Sequence, residues 1–123
     1  MASIVVIDDD RDIADLVAVY LRRDGHDLHV AHSGVDGLAA IREIRPALAV
    51  VDWMMPELDG IDVAHAVRDE PALDRTALLM VSARSSPDDI EVARSAGFAA
   101  VVSKPFRRLE LLEVAGELLR HAS

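Results

Sequence analysis

Four places in this 123-residue chain carry side chains that could do chemistry together. Asp8-Asp9-Asp10 follows the apolar run Ile4-Val5-Val6-Ile7, and Asp52 follows Ala47-Leu48-Ala49-Val50-Val51. Ser82 follows Ala77-Leu78-Leu79-Met80-Val81, and Lys104 comes just after Ala99-Ala100-Val101-Val102. Clustered carboxylates repel one another and raise each other's pKa unless a cation intervenes. Mg²⁺ is the hard cation suited to such a place, because it takes one or two carboxylates, water and phosphate oxygens. Lys104 adds a compact positive charge that can pair with Asp52 or a phosphoryl oxygen. Ser82 adds a small hydroxyl donor. One reaction uses all of these parts: a carboxylate attacks phosphorus, metal and lysine neutralise the equatorial oxygens, and the hydroxyl binds the transferred group. Asp52 is the best nucleophile of the set.

These groups meet only if the chain folds to bring them together. The apolar runs are too short for ordinary helices, and three of them are rich in β-branched residues. Continuous apolar character indicates strands covered on both faces, as in a parallel sheet. Asp27-Leu28-His29-Val30-Ala31 alternates instead and suits an edge strand. Between the strands lie helical patterns. Ile13, Leu16, Val17, Tyr20 and Leu21 form one face, closed by Gly25. Leu38 and Ile41 lead a second helix towards Pro46, and Ile61, Ala64 and Val67 mark a third. Ser86-Pro87-Asp88-Asp89 reads as an N-cap, a proline at the first helical position and an acid at the third. That fourth helix closes at Gly97. Leu109, Leu112, Gly116 and Leu119 trace one stripe of the last helix, and Leu111, Val114 and Leu118 a second. So broad an apolar surface is expected to exceed what the sheet covers and to invite a partner.

Strand and helix therefore alternate five times, which predicts an α/β domain with helices on both faces of a parallel sheet. Right-handed crossovers and the half-polar second strand favour the flavodoxin-like order 2-1-3-4-5. Ligands in such sheets bind beyond the carboxyl ends of the strands, at the switch point between strands 1 and 3. All four chemical groups lie at strand ends. Alone, each has an ordinary explanation: a helix cap for the acids and for Ser82, a loop acid for Asp52, a surface turn for Lys104 and Pro105. Their joint placement at the ends of four strands is what argues for a site.

Composition agrees. Hydrophobic residues make up 51% of the chain, enough for one core and one domain spanning 1–123. With no cysteine, disulfides, thiolate zinc sites and cysteine nucleophiles are excluded. No apolar run approaches the roughly 18 residues of a membrane span, and no signal-type segment opens the chain. The formal charge of −9 disfavours direct nucleic-acid binding and suits a cation or a basic partner surface.

The residues resemble the receiver domain of bacterial two-component response regulators. The acidic pair after strand 1, the segment Asp52-Trp53-Met54-Met55-Pro56-Glu57-Leu58-Asp59-Gly60, Ser82-Ala83 and Lys104-Pro105-Phe106 all fall where that family has its motifs. The resemblance covers essentially the whole chain. It implies Asp52 as phosphoacceptor, Asp9 as direct Mg²⁺ ligand, Asp8 as ligand through water, and the Met54 backbone carbonyl on the metal. It implies Ser82 and Lys104 on the phosphoryl group, a cis bond between Lys104 and Pro105, and a small Ala83 leaving access to the mouth. It further implies a histidine kinase or phosphotransfer protein as donor, a cytoplasmic setting and a signalling role with slow self-dephosphorylation. The output partner is not specified; a homodimer through the last-helix face is one expectation.

One position departs. Three residues before the lysine the family usually has Tyr or Phe, the aromatic that swings inward when the hydroxyl moves, and here stands Val101. Phe98 is out of register to replace it. Ala99 and Ala100 replace the acids that winged-helix, DNA-binding members tend to carry. Met54 and Arg84 occupy positions that in the family modulate loss of the phosphoryl group; two readings of Arg84 stand side by side, one over the mouth where it pairs with phosphate or an acid, the other a solvated surface arginine.

His26, His29 and His32 invite a zinc reading. On an extended segment His29 points away from the other two, so edge and loop positions explain them. A phosphatase with an aspartyl nucleophile would need a second acid where Met54 stands, and room for a cap. A receiver that only binds protein would not need the acid pair, Asp52 and Lys104 together.

Overall fold

A computed structural model describes residues 2–121. Five parallel strands, β1 (Ser3–Ile7), β2 (Asp27–Ala31), β3 (Leu48–Val51), β4 (Ala77–Ser82) and β5 (Ala100–Ser103), form one sheet in the order β2-β1-β3-β4-β5. Between and after them run α1 (Arg11–Arg23), α2 (Gly34–Ile44), α3 (Gly60–Arg68), α4 (Pro87–Ala96) and α5 (Arg108–His121). This is the flavodoxin-like arrangement expected, and each strand lies within one residue of its apolar run.

The apolar runs work because alternate residues serve opposite faces. Val5, Ile7, Ala49, Val51, Leu78 and Met80 face α2, α3 and α4, packing on Leu38, Ile41, Val63, Val67 and Phe98. Ile4, Val6, Leu48, Val50, Leu79 and Val81 face α1 and α5, packing on Ala14, Val17, Leu21, Leu111 and Ala115. Each fully buried Leu, Ile or Val side chain contributes about 1.5–3 kcal/mol relative to exposure. β2 is the half-polar edge strand its alternation predicts.

Local signals set the ends. Ser86 and Asp89 form a capping box with Pro87 at the first position of α4, and Gly97 closes that helix at φ 118°. Gly25 adopts φ 90° just beyond α1. The left-handed residue after α2 is Arg45, at φ 51°, ahead of Pro46. A short 3-10 turn, Pro71–Leu73, was not foreseen; it buries Leu73 under the sheet.

The expectation for the last helix holds only in part. Leu111 and Ala115 are buried, and Leu112, Val114, Leu118 and Leu119 pack partly against the core. Leu109 alone of the two stripes stays largely exposed, at 65%. The sheet and α1 cover most of the surplus, so apolar excess is a weaker reason for a partner than the pattern suggested.

Gly60 shows how tightly the fold holds the end of β3. Its N–H donates to the Trp53 carbonyl at 2.9 Å. A Cβ there would run into the Asp52 carbonyl oxygen. Gly60→Ala is therefore expected to cost about 1–3 kcal/mol, read from denaturant unfolding. A neutral result would mean that the backbone after Asp52 yields readily.

Candidate functional site

Three strand ends bring acids or a base to one point. Asp8 and Asp52 follow neighbouring strands, since β1 pairs with β3 and Asp52 N–H donates to the Ile7 carbonyl at 2.9 Å. Lys104 follows β5, its own N–H held by the Ser82 carbonyl at 2.9 Å. The Lys104 ammonium donates to Asp8 Oδ2 at 3.0 Å and to Asp52 Oδ1 at 3.3 Å. Asp8, Asp9 and Asp52 each place a carboxylate oxygen within 4.8 Å of the others, the one such group of possible metal ligands among the described residues. Asp8 and Asp52 are buried while Asp9 is exposed, so the cluster opens to solvent on one side. Hard oxygen donors with one open side fit a divalent ion that keeps some of its water.

The acidic triplet divides its labour. Asp10 caps α1, accepting from the N–H groups of Asp12 and Ile13. Asp8 Oδ1 accepts the Asp10 N–H at 2.9 Å, which fixes the buried carboxylate and leaves Oδ2 to Lys104. Asp10 is thus the helix cap, while Asp8 and Asp9 group with Asp52.

Asp52 has an unusual electrostatic position. Burial and the charge of Asp8 push its carboxyl up to about 6, against the pull of Lys104 and of the Trp53 N–H. That N–H donates to Asp52 Oδ1 at 2.9 Å. Burial alone would depress the Lys104 ammonium; the hydrogen bond to Asp8 and the charges of Asp52 and Asp8 outweigh it and hold the group above the ordinary lysine value. The bond between Lys104 and Pro105 is cis, as the resemblance implied.

Ser82 ends β4, buried, but its hydroxyl is engaged locally: it accepts the Arg84 N–H at 2.9 Å. Met54 is 59% exposed, and its sulfur lies 3.7 Å from Arg84 Nη1. Ala83 is exposed beside it. Arg84 lies over the Trp53 ring, 4.2 Å from its centroid, and pairs with Asp89 at 3.0 Å. The sequence left Arg84 between a phosphate and an acid; in this structure its partner is the acid of α4. Val101 is half-buried, paired with Met80 across the sheet and packed on the same core as the buried Phe98. The histidines do not gather. His26 Nδ1 accepts the Ala2 N–H, His29 is exposed, and His32 Nδ1 meets the Asp8 carbonyl at 3.3 Å.

A family model described as the response regulator receiver domain matches residues 4–115. The chain belongs to that family. As a receiver it is 33% identical over 109 residues to the DNA-binding response regulator MtrA of Mycobacterium leprae, covering 89% of this chain and 47% of that protein. The corresponding protein of Mycolicibacterium smegmatis is 34% identical over the same length, covering 89% of this chain and 46% of its own. The chain spans about half the length of the curated relatives it matches. Among solved structures, the receiver domain of Francisella response regulator 1452 superimposes with a TM-score of 0.92 at 28% identity over all of both chains. The chemotaxis protein CheY4 of Vibrio cholerae gives 0.91 at 26% identity, over 96% of this receiver and 98% of that chain.

Proposed function

We propose that this receiver takes a phosphoryl group onto Asp52 in a Mg²⁺-dependent reaction, from a histidine kinase or a phosphotransfer protein. Its output face then changes conformation. The observation that carries the reading is the single ammonium of Lys104 lying 3.0 Å from Asp8 and 3.3 Å from Asp52, beside Asp9. Receivers belong to two-component signalling, and phosphorelay is consistent with that membership.

Asp8, Asp9 and Asp52 are the residues suited to hold Mg²⁺, with the Met54 backbone carbonyl as a further ligand; when bound, the ion supplies charge neutralisation on the phosphoryl oxygens. Asp52 supplies the nucleophilic oxygen. Lys104 stays fixed by Asp8 while neutralising charge that develops near Asp52. The Ser82 side chain rotates from accepting the Arg84 N–H to donating its O–H to a phosphoryl oxygen. Preferring one arrangement of the neighbouring loops by about 1–3 kcal/mol is enough to switch populations. Slow loss of the phosphoryl group by hydrolysis completes the cycle.

The face of α4, β5 and α5, where Val92 and Leu109 are exposed, is the proposed output surface, for an effector or a second copy of the chain. No helix among the described residues is long and apolar enough to cross a membrane. The cytoplasm is the compartment we assign, since the kinase's phosphohistidine is offered there.

The test is to treat the protein with Mg²⁺ and a small phosphodonor and weigh it. One added phosphoryl group per chain is expected, and none with the metal chelated. Continuous release of phosphate from a small ester, with no labelled chain, would favour a phosphatase. Trp53 follows Asp52 directly and is the chain's one tryptophan, so its emission is expected to change on adding Mg²⁺ alone. An unchanged spectrum would count against a metal at this mouth.

A further inference from the structure

The connection from β4 to α4 holds one residue by main chain and side chain at once. Arg84 donates its backbone N–H to Ser82 Oγ at 2.9 Å. Its guanidinium carbon sits 4.2 Å from the centre of the Trp53 ring. Nη2 donates to Asp89 Oδ1 at 3.0 Å. The other oxygen of Asp89 accepts the Ser86 N–H at 3.2 Å, closing the capping box that starts α4. The hydrogen bond to Ser86 and, after it, the pairing with Arg84 hold the Asp89 carboxyl below its ordinary range. Arg84 thus spans from the residue next to Asp52 to the first turn of α4.

We infer that Arg84 and Asp89 form a charge-exchange latch: a phosphoryl group on Asp52 draws the guanidinium from Asp89 and so releases the first turn of α4. The latch rests on the phosphoacceptor reading of Asp52 and adds to it the route by which α4 learns of the event.

Three features of the geometry support it. Phosphorylation replaces one negative charge by more, with three strong acceptor oxygens. A guanidinium binds such oxygens through two parallel N–H groups, which makes them stronger competitors than the single Asp89 oxygen it now holds. Rotation of the Ser82 side chain that brings its O–H to the phosphoryl group carries Oγ away from the Arg84 N–H, so both tethers of this residue loosen in the same event. Finally, the route needs nothing from position 101. Val101 is a short side chain packed against the core and offers no ring to swing. Phe98 is buried in that core. The latch supplies the differential contact that a population shift requires.

The test compares hydrogen exchange across residues 86–92 before and after treatment with Mg²⁺ and phosphodonor, with the intact mass of each sample recorded. In the natural sequence, one phosphoryl group is expected together with exchange faster by roughly fivefold or more in this segment. Asp89→Asn keeps an acceptor for the Ser86 N–H but removes the charge. It is expected to take one phosphoryl group with no further change in exchange. Ser86→Ala removes the cap and leaves the latch; its exchange is expected to be faster at rest and still to rise on phosphorylation. An unchanged α4 in phosphorylated protein overturns the latch, and so does an Asp89→Asn variant that responds like the natural sequence. If the mass shows no added group in any sample, the phosphoacceptor reading fails and the latch falls with it, a result the mass alone distinguishes from the other two.

Discussion

Asp52→Asn is expected to abolish labelling completely and, in metal-free solution, to make the protein more stable. The amide has no anionic oxygen to attack phosphorus, so the added mass should fall from one phosphoryl group to none. The stability gain follows from the Asp52 carboxyl, pushed up to about 6 from an ordinary 3.8. Between those values the folded protein binds more protons than the unfolded chain. Stability contributed by the protonated carboxyl is therefore complete below about pH 4 and is lost as pH rises through about 6. Above pH 7 the natural protein carries a penalty of roughly 1–3 kcal/mol that asparagine does not. Urea unfolding of both proteins in chelator at pH 7.5 and pH 4 would measure it: the gap should be present at the first and closed at the second. A gap equal at both pH values would mean that the charge is not its cause. Saturating Mg²⁺ should stabilise the natural protein in proportion to the logarithm of its concentration and shrink the gap.

Lys104→Ala is expected to act in the opposite direction on stability. Its ammonium is shared by two buried carboxylates, and its removal leaves them facing one another with no positive charge between. Breaking a buried pair from one side costs about 3–5 kcal/mol; proton uptake by one carboxyl reduces this to roughly 2–4 kcal/mol at pH 8. The deficit should shrink towards pH 5, where Asp52 already binds its proton. The rate of labelling should fall by about 10²–10³, the scale of losing one preorganised charge at a reacting centre. Timed mass spectra and denaturant melts in the same buffers check both parts. Labelling at the natural rate would remove Lys104 from the chemistry and leave it a structural role only.

The sheet was legible because a strand covered on both faces must be apolar throughout, and the runs ending at Ile7, Val51, Val81 and Val102 satisfy that rule without competing patterns. The start of α4 was legible for a related reason: Ser86, Pro87 and Asp89 each have a strong local preference and all agree. The grouping of Asp8, Asp52 and Lys104 at one mouth follows from the strand ends. What sequence could not resolve was the partner of each group. Asp8, Asp9 and Asp10 are chemically alike, and only the hydrogen bonds separate the cap from the two site acids. Arg84 faces Trp53 and Met54, some thirty residues away in the chain, and Asp89, five away. Propensity is silent on which of these a long, flexible side chain prefers. Pro71–Leu73 was missed because a single 3-10 turn is shorter than any periodicity can reveal.

Lys104 reaches back 96 residues to Asp8 and 52 to Asp52. A chain leaving the ribosome from its N-terminus exposes both acids long before that ammonium exists. Until residue 104 has been added, the growing molecule lacks the positive charge that the two buried carboxylates share. The electrostatic balance of the mouth is thereby postponed until β5 has been made.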